Sequence, residues 1–230
     1  MDCDEAKGQD SEAAGVDSTA LAVDVLSTHE AARSQHRSSP ATPTLELLIP
    51  RDSTHPGAGA AVIRNAVPDD FLEKLDALRL SLPLNSKRPT AKRRFFRDEE
   101  GWVAQGLLDV LTRCGVATEG DELMPWFRVL EYDEGGHMAP HTDGSNMHPD
   151  TGNKSTATLL LYLSTCKEGG ETSLLESQKP GAEALAAVKP ERGLLLAFPH
   201  KCPHVGCRVG DEPKIALRGE LIQNKQAADV

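Results

Sequence analysis

The feature that most constrains the fold is a change in sequence texture after residue 124. From there the chain is a series of short apolar runs separated by Gly, Pro and Asp, namely WFRVLEY, TATLLLYL, TSLLES, GLLLAF and KIALRGELI. Short apolar runs bounded by turn-forming residues are typical of β-strands. The second half of the chain therefore predicts a succession of strands that build a sandwich or a barrel.

Two amphipathic helices are predicted before these strands. Pro68 stands at a first helical position, and four apolar side chains come after it at helical spacing, which predicts a helix over 68–82. A second helix is predicted over about 98–114, with Val103, Leu107, Val110 and Leu111 on one face. AAVIRNAV at 60–67 is a predicted strand, and LELLIP at 45–50 is either a short strand or an isolated apolar patch. The predicted fold class is mainly β with flanking helices, an α+β architecture.

Residues 1–58 are predicted as a disordered acidic tail. They hold ten acidic and four basic side chains of a chain whose net charge is −10, and no aromatic residue precedes Phe71. A polar segment without a sustained apolar period buries too little surface to offset the entropy of ordering. The folded domain is predicted over 59–226, with its β core over about 124–225.

Composition excludes several classes of protein. Apolar residues make up 39% of the chain, and no apolar run reaches the ~18 residues that a membrane helix needs, so we expect no membrane partner. The acidic start lacks the basic and apolar regions of a secretory signal. Five cysteines are an odd and sparse set, which predicts reduced thiols and a cytoplasmic or nuclear location.

Six basic residues interleave with two phenylalanines between positions 87 and 97, and they are Lys87, Arg88, Lys92, Arg93, Arg94 and Arg97. The rest of the folded region is mildly acidic, which makes a nucleic-acid partner an unfavoured interpretation. A solvated basic loop is the simplest explanation of the run. A nuclear-import signal and a cradle for an acidic substrate are the functional alternatives.

The sharpest chemical motif is His141-Thr142-Asp143. In an extended segment these first and third residues share a face, so an imidazole and a carboxylate can hold one small cation. An exposed turn pair is the alternative, since Gly144 comes directly after Asp143. A metal site needs a further ligand from another strand, and His200 and His204 are the two candidates.

His204 is the favoured candidate because of its distance from a lysine. Lys214 lies ten residues later, on one strand face with Ala216 and Arg218. A buried lysine requires an anion, such as the distal carboxylate of a cosubstrate that chelates the metal. Two histidines and one carboxylate leave three octahedral positions open, which is typical of non-heme Fe(II) oxygenases.

A rival metal set is a zinc site built from His200, Cys202, His204 and Cys207. Cysteine and histidine are the usual ligands of structural zinc. Four ligands within eight residues would force a single tight loop, however, without the usual separation between two ligand pairs.

Taken in order, the motifs from about 60 to 225 resemble the Fe(II)/2-oxoglutarate (2OG)-dependent dioxygenases, in particular the prolyl 4-hydroxylase-like catalytic domains. The matching segments are RVLEYDEGGHMAPHTD, TLLLYLS with EGGETSLL, VKPERGLLLAFP, and His204 with a lysine ten residues on. The chain departs from the family pattern near Met138, where an aromatic residue is usual, and at Val205, where an acidic one is usual. Both departures lie near the expected substrate entrance.

This resemblance implies a double-stranded β-helix, a cupin-like jelly roll, preceded by the two helices. It implies that His141, Asp143 and His204 bind Fe(II). It also implies four residues that bind the cosubstrate: Lys214 at the C5 carboxylate of 2OG, Tyr162 at the same carboxylate, Tyr132 at the chelating end, and Arg218 beside Lys214 or facing the substrate.

The implied activity is hydroxylation of a C–H bond with O₂ and 2OG, releasing succinate and CO₂, with ascorbate as the reductant. A prolyl residue of a peptide or protein is the first candidate substrate. The alternatives are a small molecule or a nucleobase in the same fold, or a non-catalytic jelly-roll module that binds a metal or ligand.

Overall fold

The computed structural model describes residues 42–88 and 91–224 of the 230-residue chain. These residues form two helices and thirteen strands. The elements are β1 (Thr44–Leu47), β2 (Ala61–Arg64), α1 (Asp69–Ser81), β3 (Ser86–Arg88), β4 (Ala91–Arg97), α2 (Trp102–Arg113), β5 (Glu122–Leu123), β6 (Trp126–Tyr132), β7 (Met138–His141), β8 (Ala157–Tyr162), β9 (Thr172–Leu175), β10 (Ala184–Val188), β11 (Leu195–Pro199), β12 (His204–Gly206) and β13 (Lys214–Ile222).

The strands form two antiparallel sheets. The larger sheet has the order β1-β2-β11-β8-β13-β6-β4-β3, with β5 paired to β13, and the smaller has the order β10-β9-β12-β7. From β6 onward the chain passes repeatedly from one sheet to the other, which is the connectivity of a jelly roll. The predicted double-stranded β-helix is confirmed, as are the two helices before it.

The central strand β8 shows why the larger sheet is buried on both faces. Successive side chains of a strand point to opposite faces. Leu159 and Leu161 belong to the apolar cluster shared with the helices, whereas Leu160 and Tyr162 belong to the cluster between the sheets. The run TATLLLYL is therefore continuously apolar because both of its faces are covered.

Both helices pack against the outer face of the larger sheet. α1 begins directly after Pro68, and Leu72 and Leu75 are its buried side chains. α2 buries the four predicted apolar residues but begins at Trp102, four residues later than expected. Asp98 accounts for the late start, because its carboxylate accepts a 2.8 Å hydrogen bond from the backbone N–H of Ala104, and the glycine before Trp102 is left-handed with φ 71°.

The folded region begins earlier than predicted. The sequence places residues 42–58 in the tail, but β1 pairs along β2, and Ile49 is buried. The apolar run at 45–50 therefore contains a short strand and is not an isolated apolar patch. This strand extends the edge of the larger sheet. The predicted disorder of residues 1–41 lies outside the described residues.

The basic run is not a solvated loop either. Residues 87 and 88 of the run belong to β3, and residues 91–97 are strand β4, which pairs with β3 and β6. Lys92 and Arg94 point away from the interior and form ion pairs with Asp133 at 2.7 Å and Glu131 at 2.8 Å. Alternate residues of this strand therefore face inward.

The structure also bears on the expectations about membrane spans and cysteines. No helix in the part of the chain that the structure describes is long and apolar enough to cross a membrane. The four cysteines in this part, Cys114, Cys166, Cys202 and Cys207, are free thiols. The cytoplasmic or nuclear location stays a prediction.

Candidate metal centre

His141, Asp143 and His204 meet at one end of the smaller sheet. His141 ends β7 and is the register partner of His204, the first residue of β12, while Asp143 lies two residues beyond the end of β7. Their ligand atoms all lie within 4.8 Å of one another. The Nε2 atoms of His141 and His204 lie 3.8 and 3.9 Å from carboxylate oxygens of Asp143. Small shifts would bring these atoms to the roughly 3 Å spacing of neighbouring ligands around one cation.

Backbone hydrogen bonds orient both imidazoles. The Nδ1 of His141 lies 2.8 Å from the carbonyl oxygen of Ala139, and the Nδ1 of His204 lies 3.0 Å from that of Cys202. A carbonyl oxygen can only accept, so each Nδ1 carries the proton and each Nε2 keeps its lone pair. Burial lowers the pKa of His204 to about 4, which keeps this ring neutral. Neutral imidazoles are the form that binds a metal.

Asp143 is held as a carboxylate. Thr158 Oγ1 donates a 2.5 Å hydrogen bond to its Oδ2, and Arg218 Nη2 lies 3.3 Å from the same atom. Burial alone would raise the pKa of Asp143, but the Arg218 charge and the Thr158 hydrogen bond outweigh it and lower that pKa. The anionic ligand is therefore present at neutral pH.

A closed ring of buried polar groups supports this carboxylate. His200 bonds through Nδ1 to Thr158 and through Nε2 to Ser155, each at 2.9 Å. Ser155 donates a 2.7 Å hydrogen bond to Glu220, and Arg218 donates a 2.5 Å hydrogen bond to the same carboxylate. Arg218 also contacts Asp143, which closes the ring. Each member of the ring fixes the next, so the ring positions the ligand set.

The same contacts separate the two candidates for the third ligand. Both ring nitrogens of His200 are engaged in the polar ring, so His204 is the histidine that joins the pair from β7. Cys202 is fully buried in the apolar interior, and Cys207 lies 3.5 Å from the hydroxyl of Ser173. Within 42–88 and 91–224, the His141, Asp143 and His204 set is the one convergent group of this kind, so the rival zinc set is not assembled there.

His141, Asp143 and His204 line a cavity with a volume of about 240 Å³, and Lys214 lines this cavity too. It is only 5% exposed, and its ammonium donates a 3.0 Å hydrogen bond to Thr172 Oγ1. It has no carboxylate partner among the described residues. Burial lowers the pKa of Lys214 to about 8. An ammonium buried without an anion is unfavourable, so this end of the cavity is suited to a carboxylate.

The two predicted tyrosines occupy different places. Tyr132 is the register partner of Lys214 on β6 and lines the cavity. Tyr162 is fully buried, is not among the cavity-lining residues, and its hydroxyl donates a 2.8 Å hydrogen bond to Thr172. Burial raises the pKa of both phenols. The structure thus places Tyr162 behind Thr172, whereas Tyr132 is at the cavity wall.

Arg218 lines the cavity as well, but its guanidinium contacts Asp143 and Glu220. The sequence predicts Arg218 either beside Lys214 or facing the substrate. These contacts hold the guanidinium at the metal-facing carboxylate, so it does not lie beside Lys214. Sequence reasoning missed Thr158, Thr172 and Arg128, and it saw Arg93 only as part of the basic run. An alternating pattern could have found Thr158, which lies two residues before the inward-facing Leu160. The remaining wall is largely apolar, and it is formed by Leu130, Met138, Leu160, Phe198 and Ala216.

Residues 127–219 match the family model described as the 2OG-Fe(II) oxygenase superfamily. This segment is a 2OG-Fe(II) oxygenase domain. All seven predicted site residues lie within the oxygenase domain. A comparison with curated protein sequences finds no match.

Solved structures similar to the oxygenase domain and its flanks agree with this fold. One is the viral collagen prolyl hydroxylase of Paramecium Bursaria Chlorella virus-1, with a TM-score of 0.54 and 19% identity, covering 75% of this chain and 100% of that one. Another is a prolyl hydroxylase from Trichoplax adhaerens, with a TM-score of 0.52 and 15% identity, covering 74% and 86%. A third is HygX from Streptomyces hygroscopicus, with a TM-score of 0.54 and 12% identity, covering 73% and 84%. At these identities the likeness concerns the fold.

Proposed function

We propose that this domain is a Fe(II)- and 2OG-dependent dioxygenase that hydroxylates a C–H bond of a peptide or protein, with a prolyl residue as the first candidate. One observation carries the proposal. A cavity of about 240 Å³ has the His141, Asp143 and His204 set in its wall together with the buried ammonium of Lys214, which has no carboxylate partner in the described ranges. A metal that is chelated by a dicarboxylic 2-oxo acid satisfies both features together.

The ligand residues fit a ferrous ion. Two imidazole nitrogens and one carboxylate are the donor set that leaves open positions on non-heme Fe(II). The Nδ1–H bonds to backbone carbonyls direct the Nε2 lone pairs of His141 and His204 toward Asp143. These second contacts raise the affinity of a metal site because they fix the rings before the metal arrives.

Lys214 and Thr172 fit the distal carboxylate of 2OG. Thr172 Oγ1 accepts hydrogen bonds from both Lys214 and Tyr162, so its own proton remains available to donate. A carboxylate in this position would gain a charge-assisted bond from the ammonium and a second bond from the hydroxyl. Tyr162 therefore supports the cosubstrate through Thr172, and Tyr132 borders the cavity beside them.

When bound, iron, 2OG and O₂ supply the oxidising chemistry, in which decarboxylation of 2OG to succinate and CO₂ accompanies hydroxylation. The contribution of this chain is to bind, orient and exclude water. The apolar wall formed by Leu130, Leu160 and Phe198 limits the water inside the cavity. Ascorbate as the reductant rests on the resemblance alone and stays a prediction.

A peptide substrate is supported by a second groove of about 260 Å³, which shares Arg128 and Arg218 with the metal cavity. Its lining includes Phe95, Trp126 and Met147, which are 37%, 51% and 62% exposed. Aromatic surfaces of this kind suit extended proline-rich segments. The Trichoplax adhaerens structure is a complex with a peptide fragment, which also supports a peptide ligand.

The proposal is tested by succinate formation. The purified chain is loaded with Fe(II) under argon, mixed with 2OG, ascorbate and a library of proline-containing peptides, and exposed to air. We expect succinate and a peptide that is heavier by one oxygen atom. Asp143→Ala should abolish both, whereas Asp109→Ala, an exposed carboxylate on α2, should retain both. If the iron-loaded and folded protein forms no succinate with any substrate, it is a binding module instead.

A further inference from the structure

Two arginines that the metal and cosubstrate do not use line the metal cavity. Arg93 lies on β4 and Arg128 on the neighbouring strand β6. Arg93 is the register partner of Leu130, which lies two residues after Arg128 on β6. Arg128 is the register partner of Arg218 on β13. Residues two apart on a strand share a face, so these basic side chains stand next to one another on the inner face of the larger sheet.

Within the described part of the chain, Arg93 and Arg128 lack the anionic partners that the neighbouring arginines have. Arg94 is paired with Glu131, and Arg218 is paired with Asp143 and Glu220. Among the residues that the structure describes, Arg93 and Arg128 form no ion pair, and the Nε of each is buried without a hydrogen-bond acceptor. Such unpaired buried donors are costly, and in native proteins they usually have a functional reason.

The surroundings of Arg128 increase this cost. Its guanidinium lies 4.9 Å from the ring centre of Phe95, which helps to hold it in place. Burial lowers the pKa of Arg128, and the positive charges of Arg218 and Arg93 lower it further; the negative charges of Glu220 and Asp143 act in the opposite direction but do not cancel this shift. The cavity wall therefore concentrates positive charge at one point, where an anion would relieve both the repulsion and the missing hydrogen bonds.

The charges that the proposed function brings to the cavity balance without these two arginines. A ferrous ion carries two positive charges, while Asp143 and the two carboxylates of 2OG carry three negative ones, and Lys214 supplies the remaining positive charge. Glu220 offsets Arg218 through their 2.5 Å contact. Arg93 and Arg128 are thus left over as two cations facing the space where the substrate must enter.

We propose that Arg93 and Arg128 bind an anionic group of the substrate, so that the enzyme acts on a carboxylate-bearing substrate. The inference rests on the proposed function, because it names the substrate chemistry of the same cavity. Two planar guanidinium groups on adjacent strands match the oxygens of a carboxylate. The carboxylate comes from an acidic side chain close to the oxidised residue of a peptide, or from a free small acid, and the two sources are separated by the test.

The test measures binding to the holoenzyme, loaded with Fe(II) and 2OG under argon, by isothermal titration calorimetry. The peptide probes are three blocked pentapeptides, acetyl-Ala-X-Pro-X-Ala-amide, in which X is Glu, Gln or Lys. The small-acid probes are N-acetylproline and N-acetylprolinamide. We expect the glutamyl peptide or N-acetylproline to bind at least about tenfold tighter than its neutral counterpart. The tighter of these two acidic probes identifies the source of the carboxylate.

Variants assign the preference to the arginines. In the double variant Arg93→Gln with Arg128→Gln, the acidic probe should bind no tighter than the neutral one, while the affinity for 2OG stays within about twofold. Arg113→Gln is the matched control, because Arg113 is exposed at the end of α2. This control should keep both the preference and the 2OG affinity. A thermal melt checks that each variant is folded.

A second measurement needs no variant. In the unaltered protein, added NaCl should weaken the binding of the acidic probe and leave that of the neutral probe unchanged, because salt screens charge pairing. Equal affinities for acidic and neutral probes would overturn the inference, as would a preference that survives the double substitution. A loss of 2OG affinity in the double variant would assign the arginines to the cosubstrate and overturn it too.

These outcomes are distinguishable from failure of the proposed function. Calorimetry does not depend on turnover, so acidic preference without succinate formation would support the arginine site and refute the oxygenase. Succinate formation without a preference for the acidic probe would support the oxygenase and refute the arginine site.

Discussion

The ammonium of Lys214 donates a 3.0 Å hydrogen bond to Thr172 Oγ1 across the interior of the β-helix. Lys214 begins β13 in the larger sheet, and Thr172 begins β9 in the smaller one. The bond thus links the two sheets at the end of the cavity that the cosubstrate carboxylate is proposed to occupy. Its partners are distant in sequence, and only the jelly-roll topology brings them together.

Removal of the Thr172 hydroxyl should weaken cosubstrate binding. Thr172→Val keeps the shape of the side chain but removes the group that contacts Lys214 and Tyr162. Because a charged hydrogen-bond network loses about 1.5–3 kcal/mol with one partner, we expect the KM for 2OG to rise by about tenfold or more. Thr172→Ser is the matched control and should stay near the original value. An unchanged KM in Thr172→Val would place the distal carboxylate elsewhere.

Cosubstrate binding should weaken as the pH rises above about 8. The pKa of Lys214 in the free protein is lowered to about 8 by burial, so the charge that pairs with a carboxylate is present below this pH and lost above it. Binding above the pKa must take up a proton, and the Kd for 2OG should rise about tenfold per pH unit. Calorimetry with Mn(II) in place of iron measures this. Lys214→Arg stays charged and should give a flat profile, and a flat profile in the unaltered protein would refute the assignment.

The Thr158 hydroxyl should control metal affinity. It donates the 2.5 Å hydrogen bond to Asp143 and also contacts His200. Thr158→Val should therefore weaken Fe(II) or Mn(II) binding by about 10–100-fold, the usual effect of losing such a supporting contact. Thr158→Ser should bind the metal normally. Equal metal affinities in the two variants would mean that the hydrogen bond does not orient the carboxylate.

Gly219 marks a close approach inside the larger sheet. A methyl group at this position would lie 2.8 Å from the ring of Phe127, which is almost fully buried and stacked on Phe96. Gly219→Ala should lower the free energy of unfolding by about 1–3 kcal/mol through overpacking. Gly144→Ala, where no atom of the described residues lies within 4 Å of the added methyl group, should change it by about 0.5 kcal/mol or less. Urea denaturation compares them, and similar midpoints would contradict the packing argument.

Strand alternation explains which parts of the site could be predicted. The predicted face that carries Lys214, Ala216 and Arg218 does line the cavity, because residues two apart on one strand must share a face. The spacing from His204 to Lys214 is likewise local information. These elements required no knowledge of how the strands pair.

The parts of the site that could not be predicted depend on contacts between distant segments. The Tyr162 hydroxyl is turned to Thr172 by the approach of β9, which the sequence of β8 does not contain. Arg93 and Arg128 become neighbours only through the pairing of β4 with β6. The sequence alone consequently favours a solvated loop for the basic run, although Arg93 lines the cavity and Phe96 is buried. The early start of the sheet at β1 has the same origin, since it depends on the free edge of β2.

The central claim is that one ferrous ion and one 2OG molecule occupy this cavity together. Its most direct test is a crystal structure of the protein grown under argon with Fe(II) and 2OG, with anomalous diffraction measured at the iron edge. We expect one iron peak bound by His141, Asp143 and His204, and the distal carboxylate of 2OG against Lys214 and Thr172. An iron peak away from these three ligands, or a 2OG carboxylate that leaves Lys214 without a partner, would contradict the claim.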